Sequence, residues 1–340
     1  MRVLMDGRVL AAKPSGVRDI AIGMVEGFQE LDSRGLLDFM IIGSDAGRQS
    51  FFDHVIPDRF FMHAGIPLAA RRLGADRIFI PRQTKPVLSP VPAVPLFHDI
   101  GFFRAADVYS KTTRIGLTTR MAATARHALA VSQFTADEMS KAGVSDRVQA
   151  LPIQAIHKLA WDPNPIEKYL LCIAVQEPHK NLVRLVQAWS QAETEDFKLI
   201  ICGRPGDGSE PLLSAIEASS KAQSVTVTSG LTDAQYLKLL NGCWGYIQPS
   251  LYEGLCIPAL DLAAAGAPSA VSSSGNLGLV YKDAPTSQVF DPHSTTDIAR
   301  SIEMLLHEDS FRATAGRWNR VNIRATDWAN VARVALGGMK

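Results

Sequence analysis

The sequence has few cysteines, no membrane-length apolar run and no metal-bridging motif. Its four cysteines all lie in the second half of the 340 residues, and three fall in or beside apolar runs, which favours reduced core thiols over disulfides or a zinc site. No apolar stretch approaches the length that crosses a membrane, and a strand-like run begins at Met1 without a signal peptide. No Asp-x-Asp occurs, so the sequence does not indicate a pair of carboxylates that would hold a divalent metal ion. These absences predict a cytoplasmic protein that needs no metal or other cofactor.

Positive charge is concentrated in the first half of the chain, although the net charge is only +1. Residues 1–160 hold 20 Lys and Arg against 15 Asp and Glu, whereas residues 161–340 hold 15 against 19. Most of the excess comes from two groups of basic residues: Arg71, Arg72, Arg77, Arg82 and Lys85, then Arg104, Lys111, Arg114, Arg120 and Arg126. Solvated helix faces are one interpretation, and peripheral association with the inner face of a membrane, or an anionic lipid-linked acceptor, is the other. Aromatic residues among them are too sparse to predict a nucleic-acid partner.

Short apolar runs alternate with amphipathic stretches in two successive series, the pattern of parallel sheets with helices on both faces. Predicted strands cover residues 1–5, 39–42, 77–80, 94–97 and 127–131 in the first series, and 169–175, 198–202, 224–228, 245–248 and 269–271 in the second. Prolines between residues 155 and 167 mark a hinge. We therefore predict one domain over 1–156, a second over 165–320, and a helix within 321–340 that packs back toward the first. No Gly-x-Gly-x-x-Gly follows the first strand, so a nicotinamide-dependent oxidoreductase is a weak alternative.

Two carboxylates bracket a glycine and a proline in residues 253–261, which read Glu-Gly-Leu-Cys-Ile-Pro-Ala-Leu-Asp. In a doubly wound domain this spacing places Glu253 in the loop after a strand and Asp261 two turns down the following helix, where both can touch one ligand. The backbone N–H groups of Leu255, Cys256 and Ile257, at the helix start, would face an anionic group such as a diphosphate. The segment therefore predicts a ligand that carries both phosphate and hydroxyl groups.

The same region resembles the signature of retaining GT-B glycosyltransferases of family 4, the mannosyltransferase and sucrose-synthase-like group. The matching residues are 249–254 (Pro-Ser-Leu-Tyr-Glu-Gly), 258–261 (Pro-Ala-Leu-Asp) and 265–268 (Ala-Gly-Ala-Pro). Residues 177–182 also resemble the family's Glu-Pro-Arg-Lys-Asn segment. Weaker similarities extend over most of the chain: residues 6–8 and 15–17, 98–101, 131–135 and 326–328.

The resemblance implies two Rossmann-like domains facing a cleft, with an acceptor bound by the first domain and a nucleotide sugar by the second. It implies transfer of a hexose, mannose or a similar sugar, from a GDP- or UDP-linked donor to a glycan or lipid-linked acceptor in polysaccharide or glycoconjugate biosynthesis. Transfer in this family retains the anomeric configuration and is thought to need no enzymic nucleophile. The departing phosphate oxygen takes the acceptor proton on one face of the sugar.

By resemblance, Lys180 is a fixed cation beside the diphosphate, Glu253 binds hydroxyls of the donor sugar and Asp261 holds the ribose. A cation in that place would stabilise the departing phosphates and lower the barrier. His98 is carried over as a first-domain contact to the donor sugar near the reacting carbon. Structural alternatives are a solvated lysine for Lys180, a solvated helix acid for Asp261, and a hydrogen-bonding histidine without a catalytic role for His98.

The remaining predicted donor-binding residues lie in loops at the ends of predicted strands or at helix starts. They are Gly16, Gly203, Arg204, Gly230, Leu231, Gly254, Leu255, Cys256 and Ile257. Arg204 would share phosphate neutralisation with Lys180. The loop at 230–231 would contact the base, and Gly16 would let the backbone approach a ligand closely.

Three positions depart from the family pattern. Asp261 is one methylene shorter than the usual glutamate, Cys256 stands where glycine or another small residue is usual, and His179 stands where arginine is common. A catalytic role for the Cys256 thiol is not expected, because no partner histidine accompanies it in a nucleophile motif. The departures leave open an alternative function, an inactive or regulatory relative that binds nucleotide sugar without turnover.

Overall fold

The computed structural model describes residues 1–47, 49–101, 127–144 and 147–338, which divide into two compact units. The first unit comprises Met1–Ile156 and Thr326–Lys340, and the second comprises His157–Ala325. Each unit is built on one parallel sheet. Within the described ranges, no helix is both long enough and apolar enough to cross a membrane.

The sheet of the first unit is formed by strands that alternate with helices along the chain. Its described strands are β1 (Arg2–Asp6), β2 (Asp38–Ser44), β3 (His54–Ile56), β4 (Arg77–Ile80), β5 (Ala93–Phe97), β6 (Ala128–Ala130) and β7 (Val148–Ala150). They lie in the order β3-β2-β1-β4-β5-β6-β7. The order reverses between β1 and β4, and doubly wound proteins bind ligands at the carboxyl ends of strands beside such a reversal.

Three of the described α-helices of the first unit lie between its strands along the chain. They are α1 (Gly16–Ser33), α2 (Ile66–Arg72) and α3 (Gln133–Lys141). The hydroxyl of Ser15 accepts a hydrogen bond from the N–H of Arg18 at 3.3 Å, and Ser132 accepts one from Thr135 at 3.1 Å. One core cluster of this unit joins α2 to β1, β2 and β4 through buried residues including Leu4, Ile42, Ile66, Ala70 and Ile78.

The sheet of the second unit has the same kind of reversal. Its strands are β8 (Tyr169–Ile173), β9 (Lys198–Cys202), β10 (Val225–Thr228), β11 (Gly245–Gln248), β12 (Ser269–Ser272) and β13 (Val289–Phe290). They lie in the order β10-β9-β8-β11-β12-β13. The central strands β8 and β11 pair in parallel, with Leu170 opposite Gly245 and Leu171 opposite Tyr246. The reversal of strand order therefore falls between β8 and β11.

Helices pack around this second sheet over a large apolar core. They are α4 (Leu182–Gln191), α5 (Ser209–Glu217), α6 (Asp233–Asn241), α7 (Ile257–Ala265), α8 (Gly275–Val280), α9 (Thr295–His307) and α10 (Asp309–Asn322). Trp189 of α4 is fully buried in that core, and its Nε1–H donates to the hydroxyl of Ser224 at 2.9 Å. The indole thus fills the interior without leaving its polar atom unsatisfied.

The last described helix, α11 (Trp328–Gly338), belongs to the first unit and packs on α1. A Cβ atom at Gly23 would lie 2.0 Å from the ring of Trp328, and one at Gly27 would lie 2.1 Å from its carbonyl oxygen. These glycines therefore let α11 approach α1 more closely than any side chain would allow.

The predicted fold class, two doubly wound α/β domains with parallel sheets, is confirmed. Each predicted strand has a counterpart in the structure, with ends shifted by a few residues. The strands that sequence analysis missed are β3, β7 and β13, which lie at sheet edges and have only two or three residues each. Such short, partly exposed strands carry no apolar run, so their sequences give no strand signal.

Candidate functional site

Lys180 lies in the loop that follows the central strand β8. A single 3-10 turn, Pro178–Lys180, precedes α4, and Asn181 joins the two in the left-handed conformation with φ of +60°. The buried amide of Asn181 donates to the carbonyl oxygens of Pro249 at 3.0 Å and Pro292 at 2.8 Å. Asparagine tolerates this backbone conformation better than most residues. Asn181 therefore ties the Lys180 loop to the neighbouring loops.

Glu253 lies in the loop that follows the adjacent strand β11. The N–H of Leu251 donates to the carbonyl of His179 at 2.8 Å, which joins this loop directly to the Lys180 loop. One carboxylate oxygen, Oε1 of Glu253, accepts hydrogen bonds from Ser250 Oγ at 2.7 Å and from Gln248 Nε2 at 3.3 Å. The side chain is only 10% exposed, so these bonds compensate the cost of burying a charged group.

The two residues meet in an ion pair. Nζ of Lys180 lies 2.9 Å from Oε2 of Glu253, and the lysine side chain is 16% exposed. The pair lies at the carboxyl ends of β8 and β11, between which the strand order reverses. This is the position at which doubly wound domains bind ligands. The alternative of a solvated Lys180 is wrong, because its ammonium group is largely buried against a carboxylate.

The start of α7 holds the backbone N–H groups predicted to face a diphosphate. Cys256 precedes the helix in the left-handed conformation, with φ of +65° and ψ of +66°, and Pro258 lies in its first turn. Glycine adopts this conformation without steric cost, whereas a cysteine side chain makes it unfavourable. Contacts of Gly254, Leu255, Cys256 and Ile257 with a ligand stay predictions.

The Cys256 thiol lies in surroundings that suppress its reactivity. Burial, and next the negative charge of Glu253, raise its pKa well above the ordinary value for a thiol. All four cysteines are buried and unpaired by disulfides, as predicted. Because thiolates and not thiols are nucleophiles, this environment argues against a catalytic thiol.

Asp261, in the second turn of α7, is buried and not a solvated acid. Its Oδ1 accepts a hydrogen bond from the backbone N–H of His157 at 3.0 Å, and its Oδ2 lies 2.7 Å from Nδ1 of the same histidine. Sequence analysis missed His157, because nothing in the local pattern links residues so distant along the chain. The predicted ribose contact of Asp261 stays a prediction, and any such contact would form beside the His157 ring.

The loops after β9 and β10 hold the other predicted donor-binding residues of the second unit. A Cβ atom at Gly203 would lie 1.8 Å from the carbonyl oxygen of Ala174, so packing alone requires glycine at this position. Arg204 is exposed. Gly230 is exposed with φ of +68°, and Leu231 follows it directly before the cap of α6. These loops lie at the same carboxyl edge of the sheet as Lys180, and their roles stay predictions.

In the first unit, His98 directly follows β5. Its Nε2 lies 3.0 Å from the carbonyl oxygen of Pro81, so this nitrogen carries the proton and donates. Burial is the main cause that lowers the pKa of the ring, although the Pro81 contact opposes it. His98 is therefore a neutral imidazole at pH 7. Asp99 beside it caps the loop, since its Oδ1 accepts from the N–H of Gly101 at 3.1 Å. Gly16 is the exposed first residue of α1, and donor contacts of Gly16 and His98 stay predictions.

Residues 156–320 match the family model described as glycosyl transferases group 1. This segment is a group 1 glycosyltransferase domain. It contains the Lys180 and Glu253 ion pair together with the His157 and Asp261 contact. The group 1 domain thus coincides closely with the second structural unit.

Two mannosyltransferases of Escherichia coli are similar to this chain. The O-antigen chain mannosyltransferase B is 25% identical over 273 residues, which cover 73% of this chain and 70% of that protein. The serotype-specific mannosyltransferase WbdA is 28% identical over 179 residues, or 51% of this chain. The match spans only 22% of the length of WbdA.

Solved glycosyltransferase structures share the fold of the whole chain. Sucrose-phosphate synthase from Thermosynechococcus elongatus superposes with a TM-score of 0.72 at 14% identity, covering 99% of this chain and 97% of that one. HepE of Anabaena, solved in complex with UDP and glucose, gives a TM-score of 0.73 at 14% identity, covering 99% and 98%. The group 1 domain therefore lies in a chain with the GT-B architecture.

Proposed function

We propose that the chain is a retaining, metal-independent glycosyltransferase that moves a hexose from a nucleotide sugar to a glycan or lipid-linked acceptor. The observation that carries this proposal is the ion pair between Lys180 and Glu253 at the reversal of the second sheet. One member is a cation suited to a diphosphate, and the other is a carboxylate suited to sugar hydroxyls. Their placement in a group 1 glycosyltransferase domain supports the donor as the ligand of this site.

In the proposed reaction, the bond between the anomeric carbon and the diphosphate oxygen breaks as the acceptor oxygen attacks that carbon. Negative charge accumulates on the departing diphosphate, where Lys180 Nζ and the backbone N–H groups at the start of α7 stabilise it. The diphosphate replaces Glu253 as the counter-ion of Lys180. Glu253 Oε2 then accepts hydrogen bonds from hydroxyls of the sugar. The departing phosphate oxygen takes the acceptor proton on the same face, which retains the configuration.

The proposed sugar is mannose, with GDP-mannose as the first donor to test and a UDP-hexose as the second. Both Escherichia coli relatives are mannosyltransferases, which supports mannose as the sugar. The UDP and glucose bound to HepE support a nucleotide sugar as the class of ligand, although they leave the base open for this chain. Arg204 and the loop at Gly230 and Leu231 would bind the nucleotide portion, beside the ribose contact proposed for Asp261.

For the acceptor, we propose a surface polysaccharide or another glycoconjugate, assembled at the cytoplasmic face of a membrane. The relative named as an O-antigen chain mannosyltransferase supports this class of acceptor. Basic residues of the first unit would favour an anionic lipid-linked substrate, among them Arg71, Arg72, Arg77, Arg82 and Lys85. The second basic group, Arg104, Lys111, Arg114, Arg120 and Arg126, lies outside the described residues.

The proposal is tested by incubating the purified chain with GDP-mannose, UDP-glucose or UDP-N-acetylglucosamine and measuring release of free nucleotide. Slow transfer of the sugar to water is expected even without the acceptor, and addition of a membrane-lipid or polysaccharide extract should accelerate it. Proton NMR of the product should show the anomeric configuration of the donor. An inverted product would contradict the retaining mechanism, and absence of binding by every nucleotide sugar would contradict the proposal.

The second candidate function is nucleotide-sugar binding without turnover, and the departures of Asp261, Cys256 and His179 from the family pattern favour it. Both carboxylate oxygens of Asp261 lie within 3.0 Å of His157 atoms, so a ribose would have to share or displace that contact. A binder would be stabilised by nucleotide sugar without releasing nucleotide. In that case Lys180→Ala would change the dissociation constant alone, whereas in a transferase it also lowers turnover.

A further inference from the structure

A chain of buried polar side chains runs from β11 to Glu253. Tyr246, Gln248 and Ser250 alternate along the strand and its extension, so they share one face, and each is fully buried. Apolar residues would be the ordinary occupants of such positions. Buried polar groups are costly unless their hydrogen bonds are satisfied. Here the three side chains bond to one another and to the carboxylate.

The hydrogen bonds of this series of polar side chains all run toward Glu253. The hydroxyl of Tyr246 donates to Gln248 Oε1, which leaves the Gln248 amide nitrogen facing the other way. That nitrogen donates to Ser250 Oγ at 2.7 Å and to Glu253 Oε1 at 3.3 Å. Ser250 Oγ in turn donates to Glu253 Oε1 at 2.7 Å. Burial raises the pKa of Tyr246 well above its ordinary value, so the phenol keeps its proton at physiological pH.

Only one orientation of the Gln248 amide satisfies the hydrogen bonds of the whole series, which comprises the Tyr246 hydroxyl, the amide itself, the Ser250 hydroxyl and the Glu253 carboxylate. If the amide were reversed, its oxygen would face the Glu253 carboxylate, and two acceptors would meet without a proton between them. The Glu253 carboxylate excludes that orientation because it can only accept, and in the remaining orientation the Tyr246 hydroxyl donates to the amide oxygen. Hydrogen bonds aligned in series strengthen one another in a low-dielectric interior. The phenol therefore acts on Glu253 through the amide, although it does not touch the carboxylate.

We infer that Tyr246, Gln248 and Ser250 are positioning residues that saturate Oε1 of Glu253 and leave Oε2 as the oxygen that binds the donor sugar. The inference rests on the proposed function, since it assigns the geometry of the same site. Oε1 accepts two hydrogen bonds from buried donors, whereas Oε2 faces Lys180, a partner that the diphosphate can take. The carboxylate plane is thus fixed before the donor arrives, which removes the need to order it on binding.

The inference predicts a specific loss of sugar recognition. The measured quantity is the dissociation constant of free GDP divided by that of GDP-mannose. If the wild-type protein prefers uridine, UDP and UDP-glucose take their places. Ser250→Ala should lower this ratio about tenfold and Tyr246→Phe about threefold, because each weakens the bonds that hold Oε1. Affinity for the free nucleotide should stay within about twofold of wild type, since GDP and UDP carry no sugar for Glu253 to bind.

Tyr281→Phe is the matched control. Tyr281 is also fully buried in the second unit, and its hydroxyl lies 3.2 Å from the Ser269 hydroxyl, without a hydrogen bond to Glu253. Both tyrosine variants remove one buried hydroxyl group and keep the ring, so they should lower thermal stability to a similar degree. Only Tyr246→Phe should change the ratio. If Ser250→Ala does not fold, the inference is tested by comparing the ratio of dissociation constants in Tyr246→Phe and Tyr281→Phe.

Two results would overturn the inference while leaving the proposed function intact. One is that Tyr246→Phe and Ser250→Ala leave the ratio of dissociation constants unchanged. The other is that Tyr281→Phe lowers this ratio as much as Tyr246→Phe does. Failure of the wild-type protein to bind either nucleotide sugar is a different outcome, because it would remove the proposed function and this inference with it.

Discussion

Nζ of Lys180 lies 2.9 Å from Oε2 of Glu253, across the boundary between the loops that follow β8 and β11. Both side chains are largely buried, and the backbone of the two loops is joined by the hydrogen bond from Leu251 to His179. The pair is therefore held in place before any ligand binds. A preorganised cation and carboxylate at the reversal of a doubly wound sheet are the basis of the proposed donor site.

Removing either member of this pair should abolish most of the activity. Lys180→Ala and Glu253→Ala should each reduce turnover at least about a hundredfold, as loss of a charge-stabilising group commonly does. Lys168→Ala is the control, because Lys168 pairs with Asp196 at 3.2 Å in the same unit but on an exposed surface. That variant should retain turnover, since exposed ion pairs contribute little. Wild-type rates in Lys180→Ala or Glu253→Ala would refute the site assignment.

Chelators should have little effect on the reaction. In the proposed donor site, Lys180 and the N–H groups at the start of α7 would supply the positive charge that a metal ion would otherwise bring to the diphosphate. Turnover measured after dialysis against EDTA should match that of the untreated protein. Loss of turnover that manganese or magnesium restores would contradict the metal-independent mechanism.

The left-handed backbone of Cys256 predicts an unusual order of stability among its variants. Alanine keeps the unfavourable conformation at φ of +65°, whereas glycine relieves it, so Cys256→Gly should be more stable than Cys256→Ala by about 1 kcal/mol. Ala263, buried inside α7, is the control. There Ala263→Gly should lower the free energy of unfolding by about 1 kcal/mol. Denaturant titrations measure both differences, and Cys256→Ala being the more stable variant would show that the conformation carries no strain.

Buried thiols should make the protein less stable in alkali. Burial raises the pKa of Cys243 from 9.0 to about 12, and it also raises those of Cys172, Cys202 and Cys256. Above about pH 9 the unfolded chain loses thiol protons that the folded chain keeps, so the free energy of unfolding falls as pH rises. Each thiol contributes at most about 1.4 kcal/mol per pH unit. Denaturant titrations between about pH 8 and 10 should show this fall, and Cys243→Ala should make it shallower. A flat profile would contradict the inferred burial.

Two predicted ligand-binding glycines should respond differently to alanine. Gly203→Ala places a Cβ atom 1.8 Å from the Ala174 carbonyl and should lower the free energy of unfolding by about 3 kcal/mol. Gly230→Ala has open space but a positive φ, so its cost should be about 1 kcal/mol. Gly337, with neither constraint, is the control and should tolerate alanine. If Gly203→Ala folds as stably as wild type, packing does not explain that glycine.

Sequence patterns predicted the parallel sheets and the loops that carry Lys180 and Glu253, because apolar runs and strand ends are local features. They missed β3, β7 and β13, since strands of two or three residues carry too few residues to show a period. The contact of Asp261 with His157 could not be predicted either, because it joins residues far apart in sequence. The hydrogen bonds that link Tyr246 and Gln248 to Glu253 could not be predicted for another reason. Both residues lie within an apolar strand pattern, which does not show how their polar groups bond.

Ligand-induced stabilisation tests the central claim, nucleotide-sugar binding at the Lys180 and Glu253 pair, most directly. The measurement is the melting temperature of the wild-type protein, Lys180→Ala and Lys168→Ala with and without GDP-mannose, UDP-glucose and the corresponding free nucleotides. One nucleotide sugar at about a hundred times its dissociation constant should stabilise wild type and Lys168→Ala by about 2.7 kcal/mol, a shift of several degrees, and Lys180→Ala much less. No shift with any nucleotide sugar, or an equal shift in Lys180→Ala, would contradict the account.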